Sequence, residues 1–461
     1  MDFVSAEFLG YLAVLAVLHA VLPRGWRCAL LVAGSYLFYW QSSGWLAVLL
    51  FGATMLAFVA ARARSMVLGI AGLLVLVLVL FKLEPLLRLN WLVPLGISYY
   101  TFKLAGYLID VHWGAIEPER RVLPFLACTA FFPQIVGGPI ERAQSFLPQV
   151  KLAERARLYA VTAGAMRIML GIFKKCVVAD NIGLIVNYVY GNLGPDPGAP
   201  VLLGFYGYPL QMYADFSALT DIALGAGMLF GIRSPENFNA PFTAASPSEY
   251  WRRWHITLTL WMTDYVFTPL RMAMRNLGNA GLVASLFVNM ILIGLWHGFY
   301  WTFALFGVLH AVYLSVDALT QKARRRLYRQ HPAADRITDW VGPIVTFHLI
   351  AVAFVLFRAG SVSTVGAFFS HLFCGIGTLS PAFRDVIDEP RRFFLVLAAA
   401  LVTMETADAL RRRLWTSTLP ASMPRWARWA AFSCTVVLVL VTAALLATGS
   451  QESSPFLYAI F

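Results

Sequence analysis

Long stretches without a charged residue constrain the fold of this chain more than any other feature. Ser65 to Phe81 carries no charge, nor does Trp429 to Gln451, and Cys28 to Ala61 is an uncharged stretch that "QSSG" divides into two. Each approaches the roughly 20 apolar residues that a helix needs to cross a bilayer. Only 13% of the 461 residues are charged, against roughly 25% in a soluble domain. The sequence therefore predicts an all-α, polytopic membrane protein.

The same pattern extends along the whole chain. We predict about 11–12 transmembrane helices plus re-entrant segments, in one integral-membrane domain of residues 1–461 with a core at about residues 94–319. The predicted spans fall near residues 3–22, 28–40, 45–61, 66–82, 92–110, 159–180, 201–223, 281–296, 299–318, 341–357, 393–409 and 430–448. The sequence has no strand pattern and no internal repeat.

The net charge of +12 comes from clusters of arginine and lysine between the apolar runs. These clusters are Arg24/Arg27, Arg62/Arg64, Arg120/Arg121, Lys322–Arg329 and Arg411–Arg413. Such spacing follows the positive-inside rule and argues against nucleic-acid binding. The first run, Phe3 to Leu22, lacks a preceding Lys or Arg, which is opposite to a cleaved signal peptide. We therefore expect an N-terminus outside and the basic clusters in the cytoplasm.

Two segments interrupt the simple pattern of spans. Residues 123–149 are apolar but are broken by several prolines and glycines, so we predict a re-entrant segment packed against protein or a wet cavity. In Ser246 to Leu270, aromatic residues recur at 3- and 4-residue spacing, and a second line of polar residues includes Arg252 and His255. This pattern predicts an amphipathic helix at the cytoplasmic membrane interface.

One histidine stands within the apolar stretch "LIGLWHGFYW", Leu292 to Trp301. His297 closes a predicted helix over residues 281–296, Gly298 interrupts the chain, and a second apolar helix returns. An ionisable residue inside a membrane is costly and is a functional candidate by default. Imidazole suits proton transfer because its ordinary pKa is about 6.5. The alternative is a neutral histidine that is hydrogen-bonded to a backbone carbonyl.

Three further ionisable residues are candidates for a role at the site. His255, beside Arg252 and Arg253, is either an interfacial residue or a group that binds a phosphate-bearing donor. Asp215 and Asp221 lie in an apolar span, where each carboxylate needs a cationic partner. The candidate partners are Arg167, Lys174, Lys175 or a histidine, and both structural pairing and support of the site remain open.

Familiar soluble-enzyme motifs are missing from the sequence. It contains no Walker loop, no GxSxG elbow and no HExxH motif, and its five cysteines form no CxxC pair. No His, Asp or Glu residues have convincing ligand spacing, so we predict no metal.

The order of several motifs resembles the membrane-bound O-acyltransferase (MBOAT) family, in its bacterial branch. "SPENFNAPFTAASPSEYWRRWHITLTLWMTDYVF" is followed by "GLWHG", and "PLGISYYTFKLAGYLIDV", "FFPQIVGGPIERAQSFLPQ" and "YADFSALTDIALGAGMLFG" also match. The resemblance implies a ring of helices with a thin centre. It implies that His297 and His255 are catalytic. We also predict that the substrates contact Arg252, Arg253, Trp254, Asp215, Asp221 and Trp296.

Two subgroups of that family compete. The C-terminal "PFLYAIF" is similar to alginate and polysaccharide O-acetylation proteins. The segment after Tyr265 departs from the pattern of alginate acetylation proteins, and "DYVF" is closer to lipoteichoic-acid D-alanylation proteins. The first implies transfer of an acetyl group from a cytoplasmic thioester, which we expect to be acetyl-CoA, to an extracellular polysaccharide or a periplasmic partner acetyltransferase. It implies no bound cofactor and a location in the bacterial inner membrane. A transporter or channel is the alternative from another class.

Overall fold

The computed structural model describes residues 3–63, 65–84, 93–387, 389–415, 424, 456 and 457. Within these residues there are twenty α-helices and no β-strand. We number them α1 Ala6–Val21, α2 Arg24–Ser43, α3 Ala47–Ala60, α4 Val67–Lys82, α5 Ile97–His112, α6 Val122–Ala130, α7 Phe132–Ile135, α8 Ala143–Leu152, α9 Leu158–Phe173, α10 Asp180–Gly191, α11 Leu202–Leu229, α12 Pro247–Trp251, α13 Ile256–Met262, α14 Thr268–Ala273, α15 Gly278–His297, α16 Trp301–Gln330, α17 Pro332–Arg358, α18 Val362–Ser370, α19 Pro381–Val386 and α20 Pro390–Trp415. The predicted all-α membrane bundle is confirmed.

Several helical segments are long and apolar enough to cross a bilayer. In the described residues there are five, and they are Arg24–Ala60, Arg275–His297, Trp301–Gln330, Ile337–Arg358 and Pro390–Leu410. Shorter apolar helices are Ala6–Val21, Val67–Lys82 and Val122–Ile135. The protein is therefore a multi-pass membrane protein. The predicted span at residues 430–448 lies outside the described residues.

Two helices run further than their apolar stretches predict. α16 continues to Gln330 and includes the basic run Lys322–Arg329, which the sequence places in a gap between spans. Lysine and arginine are good helix formers, so a basic run extends a helix beyond its apolar part. The predicted span at 159–180 likewise continues through a π-helical segment, Lys174–Ala179, into α10.

The proline-rich segment at 123–149 is broken, as its sequence predicts. It forms α6, α7 and the start of α8, and its residues from Pro124 to Glu141 are buried. Side chains from distant elements accept hydrogen bonds from its interrupted backbone, because buried N–H groups need acceptors. Phe132 N donates to Ser35 Oγ at 3.1 Å and Ile140 N donates to Thr257 Oγ1 at 3.0 Å.

The predicted amphipathic helix over Ser246 to Leu270 is not continuous. Its first helix, α12, ends at Trp251, and His255 has a left-handed backbone with φ 42° before α13 begins. A π-helical segment, Thr263–Phe267, follows. The prediction of one helix with two faces is therefore wrong. The aromatic residues keep their 3- and 4-residue spacing through the break because the segments on both sides of it are buried.

A tight hairpin of α15 and α16 carries His297. Glycines let the two backbones approach closely, as small residues do between membrane helices. A Cβ on Gly294 would lie 2.1 Å from Phe303 O, and one on Gly307 would lie 2.5 Å from Met290 O. The predicted helix, break and return at His297 are confirmed.

We expect Gly294→Ala to destabilise the protein by about 1–3 kcal/mol, the usual range for overpacking. The added methyl group meets backbone, which cannot move aside as a flexible side chain can. The measurement is the thermal unfolding midpoint of the purified protein in detergent. Gly72→Ala is the matched control, because a Cβ at that helical glycine meets no atom within 4 Å. Equal midpoints for both variants would contradict this packing.

Candidate active site

His297 is the last residue of α15 and lies inside the bundle. Only 7% of its surface is exposed. Its imidazole is surrounded by aromatic rings, with the centroid of Phe357 at 4.8 Å and that of Phe303 at 6.1 Å. Such walls exclude bulk water, which is favourable for a reaction that has to avoid hydrolysis.

Trp296 brings the two predicted catalytic histidines to one place. Its ring centroid is 4.9 Å from that of His297 and 5.9 Å from that of His255. The ammonium nitrogen of Lys82, at the end of α4, lies 5.9 Å from the same indole centroid. The structure thus assembles a site from the ends of α4 and α15 and from the turn before α13.

Asn237 holds His255 and determines which of its nitrogens carries the proton. Asn237 Oδ1 lies 3.1 Å from His255 Nδ1 and accepts hydrogen bonds from Thr257 N and Thr257 Oγ1 at 3.2 and 2.9 Å. The backbone N–H of Thr257 can only donate, so this atom is the amide oxygen. His255 Nδ1 therefore donates, and the neutral ring has its lone pair on Nε2.

The left-handed backbone of His255 is also held by its neighbours. Ile256 N donates to Asn237 O at 3.0 Å, and Asn239 N donates to Arg253 O at 2.9 Å. A positive φ is uncommon for a residue other than glycine and is retained where the surroundings impose it. His255 itself is 1% exposed, with Phe216 edge-on at 4.8 Å. It is thus a buried residue and not part of an exposed polar face.

A chain of aromatic side chains leads from the site to a narrow cleft. Trp296 contacts Phe102 at 5.7 Å between centroids, Phe102 stacks on Trp261 at 4.0 Å, and Trp261 contacts Tyr265 at 4.9 Å. The cleft beside Phe102, Trp261 and Tyr265 has a volume of about 10 Å³, room for about one water molecule. Polar groups surround its far end, where Tyr265 OH donates to Asp110 Oδ1 at 2.7 Å.

The residues beside His255 differ in how available they are to a ligand. Arg252 is exposed. Arg253 donates to Glu249 Oε1 at 2.5 Å and to Thr243 Oγ1 at 3.0 Å, so its guanidinium stabilises the turn. Trp254 is buried and stacks on Tyr250 at 5.6 Å. Of these three predicted contacts, Arg252 is the side chain that is open to a soluble anion.

Asp221 lies in a buried ionic network with two of its expected cationic partners. Arg167 Nε is 2.9 Å from Asp221 Oδ1, and Lys174 Nζ is 2.7 Å from Asp221 Oδ2. Lys174 Nζ also donates to both carboxylate oxygens of Asp408, on α20, at 2.9 and 2.8 Å. Lys174 is fully buried, so these carboxylates take the place of water around its charge.

Asp215 has a second set of partners. Lys175 Nζ lies 2.9 Å from Asp215 Oδ1 and 2.9 Å from Asp180 Oδ1. Leu457 N, close to the C-terminus, donates to Asp215 Oδ2 at 2.9 Å. The ring of the buried Phe456 lies 4.8 Å from Lys175 Nζ. Phe456 and Leu457 of "PFLYAIF" thus pack against the bundle.

The network around Asp221 extends to the residue beside Asn237. The guanidinium of Arg167 donates to both oxygens of Glu236 at 2.8 and 2.6 Å, and Glu236 precedes Asn237 in the chain. Asp221 therefore supports the segment that orients His255, although its own carboxylate binds Arg167 and Lys174. The structural pairing of Asp221 is thus observed, and its support of the site stays a prediction.

Comparison with known proteins identifies the family. The sequence profile of the membrane-bound O-acyltransferase family, MBOAT, matches residues 121–363. The chain belongs to the MBOAT family. It is therefore an acyltransferase, and the predicted resemblance is confirmed. The predicted domain boundaries and the roles of individual site residues stay predictions.

Relatives with different acceptors share similar identity with this MBOAT protein. The probable alginate O-acetylase AlgI of Pseudomonas putida is 30% identical over 82% of this chain and 77% of its own length. The peptidoglycan O-acetyltransferase of Helicobacter pylori is 30% identical over 60% of this chain and 56% of its own. The teichoic acid D-alanyltransferase of Bacillus subtilis is 30% identical over 57% of this chain and 68% of its own.

Sequence reasoning missed three polar residues in this MBOAT site. Lys82 ends an uncharged run and Lys103 lies within the predicted span at 92–110, so each was visible as a cation at membrane depth. Lys103 Nζ donates to Gln134 Oε1 at 2.7 Å and so secures the broken segment. Asn237, in "PENFNAP", gave no such signal, because an uncharged amide in a loop is ordinary.

We expect Lys174→Met to destabilise this MBOAT protein by about 3–5 kcal/mol, because it leaves the buried carboxylate of Asp408 without its cation. Thermal unfolding in detergent and the amount of protein in membranes measure the effect. Lys174→Met combined with Asp408→Asn should recover much of the loss. The exposed Lys322→Met is the control. A midpoint for Lys174→Met equal to that of the control would contradict the role of the network.

Proposed function

We propose that the protein transfers an acetyl group from a cytoplasmic thioester to a hydroxyl group on the outer side of the membrane, for O-acetylation of an extracellular or periplasmic polysaccharide. The observation that carries this proposal is the buried pair of histidines around Trp296, at the end of a membrane helix. Membership of an acyltransferase family supplies the reaction class. The acceptor hydroxyl belongs to the sugar or to a periplasmic partner acetyltransferase that passes the acetyl group on.

The proposed reaction uses His297 as the general base. Its imidazole takes the proton of the acceptor hydroxyl while the oxygen attacks the thioester carbonyl carbon. The tetrahedral intermediate then collapses, the carbon–sulfur bond breaks, and the leaving thiolate takes the proton back from the imidazolium. The products are the acetyl ester and the free thiol. The aromatic rings around His297 support this role, because a dry site suppresses attack by water on the thioester.

The donor is proposed to be acetyl-CoA, with no resident cofactor. In this proposal the pantetheine arm enters along the chain of rings from Tyr265 to Trp296, and the cleft at its start, which has room for about one water molecule, has to open to admit it. The exposed Arg252 suits the phosphates at the other end of the donor. His255 Nε2, with its lone pair set by Asn237, faces the donor side of the site in this proposal.

The orientation follows from the basic clusters. Lys and Arg are enriched in cytoplasmic loops. Arg24, Arg120 and Arg121 therefore support a cytoplasmic position for the residues where α2 and α6 begin. If successive spans alternate in direction from that starting point, the N-terminus is outside and His297 lies in the outer half of its span. We propose that the membrane is the bacterial inner membrane, where a cytoplasmic thioester and an external polymer can both reach the site.

D-alanyl transfer to a teichoic-acid-like polymer is the second candidate. The likeness to the teichoic acid D-alanyltransferase of Bacillus subtilis and the "DYVF" segment favour it. The likeness to the probable alginate O-acetylase of Pseudomonas putida covers more of this chain, 82% against 57%, and favours acetyl transfer. Transport without acyl transfer has no observation in its favour.

We expect His297→Ala to lower acyl transfer by about 10²–10⁴-fold, the usual contribution of a general base. The measurement is transfer of labelled acetyl from acetyl-CoA to external polymer in membranes with matched amounts of protein. The exposed His331→Ala is the control. Unchanged transfer by His297→Ala would remove the mechanism. Labelled D-alanyl carrier protein as the better donor would instead select the second candidate.

We expect Asn237→Ala to lower acyl transfer at least about 10-fold with the protein still folded, because loss of an orienting partner misplaces a functional group. His255→Ala should lower it at least as much, and the double variant should add little, because both changes act through one imidazole. Initial rates over a range of acetyl-CoA concentrations test this. Asn239→Ala, at an exposed asparagine two residues away, is the control. Additive losses would show that Asn237 acts independently of His255.

A further inference from the structure

A second, larger cavity lies away from the histidines. It has a volume of about 650 Å³ and is formed where the start of α2, the start of α6 and the end of α8 meet. This volume is within the range of about 300–1,000 Å³ that is common for ligand pockets. None of its lining residues is shared with the cleft beside Trp261. The cavity is therefore separate from the proposed donor route.

Three cationic side chains from three elements line this cavity. They are Arg24, Arg121 and Lys151. Lys151 forms an ion pair with Glu119, whereas Arg24 Nε donates to a neutral carbonyl, Leu152 O, at 2.6 Å. Within the described residues, the guanidinium of Arg121 makes no hydrogen bond or ion pair. The cavity thus carries an excess of positive charge.

Hydrogen bonds fix two of the segments that line the cavity. Arg27 Nη1 donates to Ala153 O at 2.8 Å and its Nε donates to Leu22 O at 3.1 Å. Together with the bond from Arg24 to Leu152 O, these contacts fasten the turn between α1 and α2 to the end of α8. Arg24 is therefore fixed at the edge of the cavity, and Arg121 and Lys151 line the same space.

Exposed apolar side chains adjoin these cations. Val122 and Leu123 line the cavity and are 38% and 45% exposed. Leu152 and Trp26, which are neighbours in the chain of the lining residues Lys151 and Gly25, are 50% and 67% exposed. Tryptophan and basic residues together are typical of the level of lipid headgroups. A ligand for this place needs an anionic head and an apolar remainder.

We propose that this cavity binds an anionic phospholipid of the cytoplasmic leaflet. Its headgroup phosphate lies among Arg24, Arg121 and Lys151, and its acyl chains lie against Val122 and Leu123. Basic pockets between membrane helices on the cytoplasmic side are suited to such headgroups. This site rests on the proposed orientation of the membrane and is independent of the proposed reaction. The phosphates of a soluble donor share the headgroup's chemistry, and the experiment separates the two.

The test is native mass spectrometry of the full-length protein in detergent, titrated with phosphatidylglycerol or with phosphatidylcholine. We expect wild type to retain phosphatidylglycerol in preference to phosphatidylcholine. Arg121→Ala should weaken that binding about fivefold, the contribution of one cation beside an anionic lipid. Arg120→Ala is the matched control, because this adjacent exposed arginine does not line the cavity. Arg121→Ala keeps the contacts of Arg24 and Lys151, so it leaves the wall intact.

Two results would overturn the proposal. One is equal retention of phosphatidylglycerol by wild type, Arg121→Ala and Arg120→Ala. The other is a wild-type protein that shows no preference between the two lipids and loses its bound lipid equally to acetyl-CoA and to inorganic phosphate. That result would assign the cavity to soluble phosphates. Neither readout depends on acyl transfer, so a failed reaction mechanism and a failed lipid site give different results.

Discussion

The cost of charge without water is the constraint on which the rest of this bundle depends. At membrane depth a lysine or an aspartate has no solvent to bind, so each needs an opposite charge or another polar group within the protein. Lys174 and Lys175 meet this condition through Asp221, Asp408 and Asp215, which lie on helices far apart in the sequence. These ion pairs fix which helices must be neighbours, whereas apolar side chains pack against many different partners at similar energy.

The site uses that rigid framework but depends on local breaks. A regular helix satisfies its own backbone and presents side chains at fixed intervals, so it cannot place His255 where the left-handed turn places it. The turn leaves backbone groups that other segments satisfy: Asn237 O accepts from Ile256 N and Asn237 Oδ1 accepts from Thr257 N. The same amide oxygen also binds the side chains of His255 and Thr257. His297 is placed differently, by ending a helix whose position is set by two glycines. One histidine is thus held by hydrogen bonds and the other by packing.

Much of this could be predicted from sequence because membranes impose simple rules. Uncharged runs gave the helices, and the isolated His297 and the two aspartates were visible because their surroundings were apolar. The break at His255 was not predictable, since aromatic spacing continues through it. Nor was the burial of both Lys174 and Lys175, because neighbouring residues on an α-helix point about 100° apart and the π-helical segment changes that geometry. Asn237 needed the three-dimensional contact with Thr257 to reveal its role.

The ionic network also sets an order of events during synthesis of the protein. Lys174 precedes Asp221 by 47 residues and Asp408 by 234. A growing chain therefore contains Lys174 and Asp221 well before it contains α20. The ion pair between Lys174 and Asp408 forms only after α20, which carries Asp408, has been made. α20 therefore completes an ionic network whose other members, Lys174 and Asp221, precede it in the chain. The assembly of the bundle thus depends on the order of the sequence as well as on its composition.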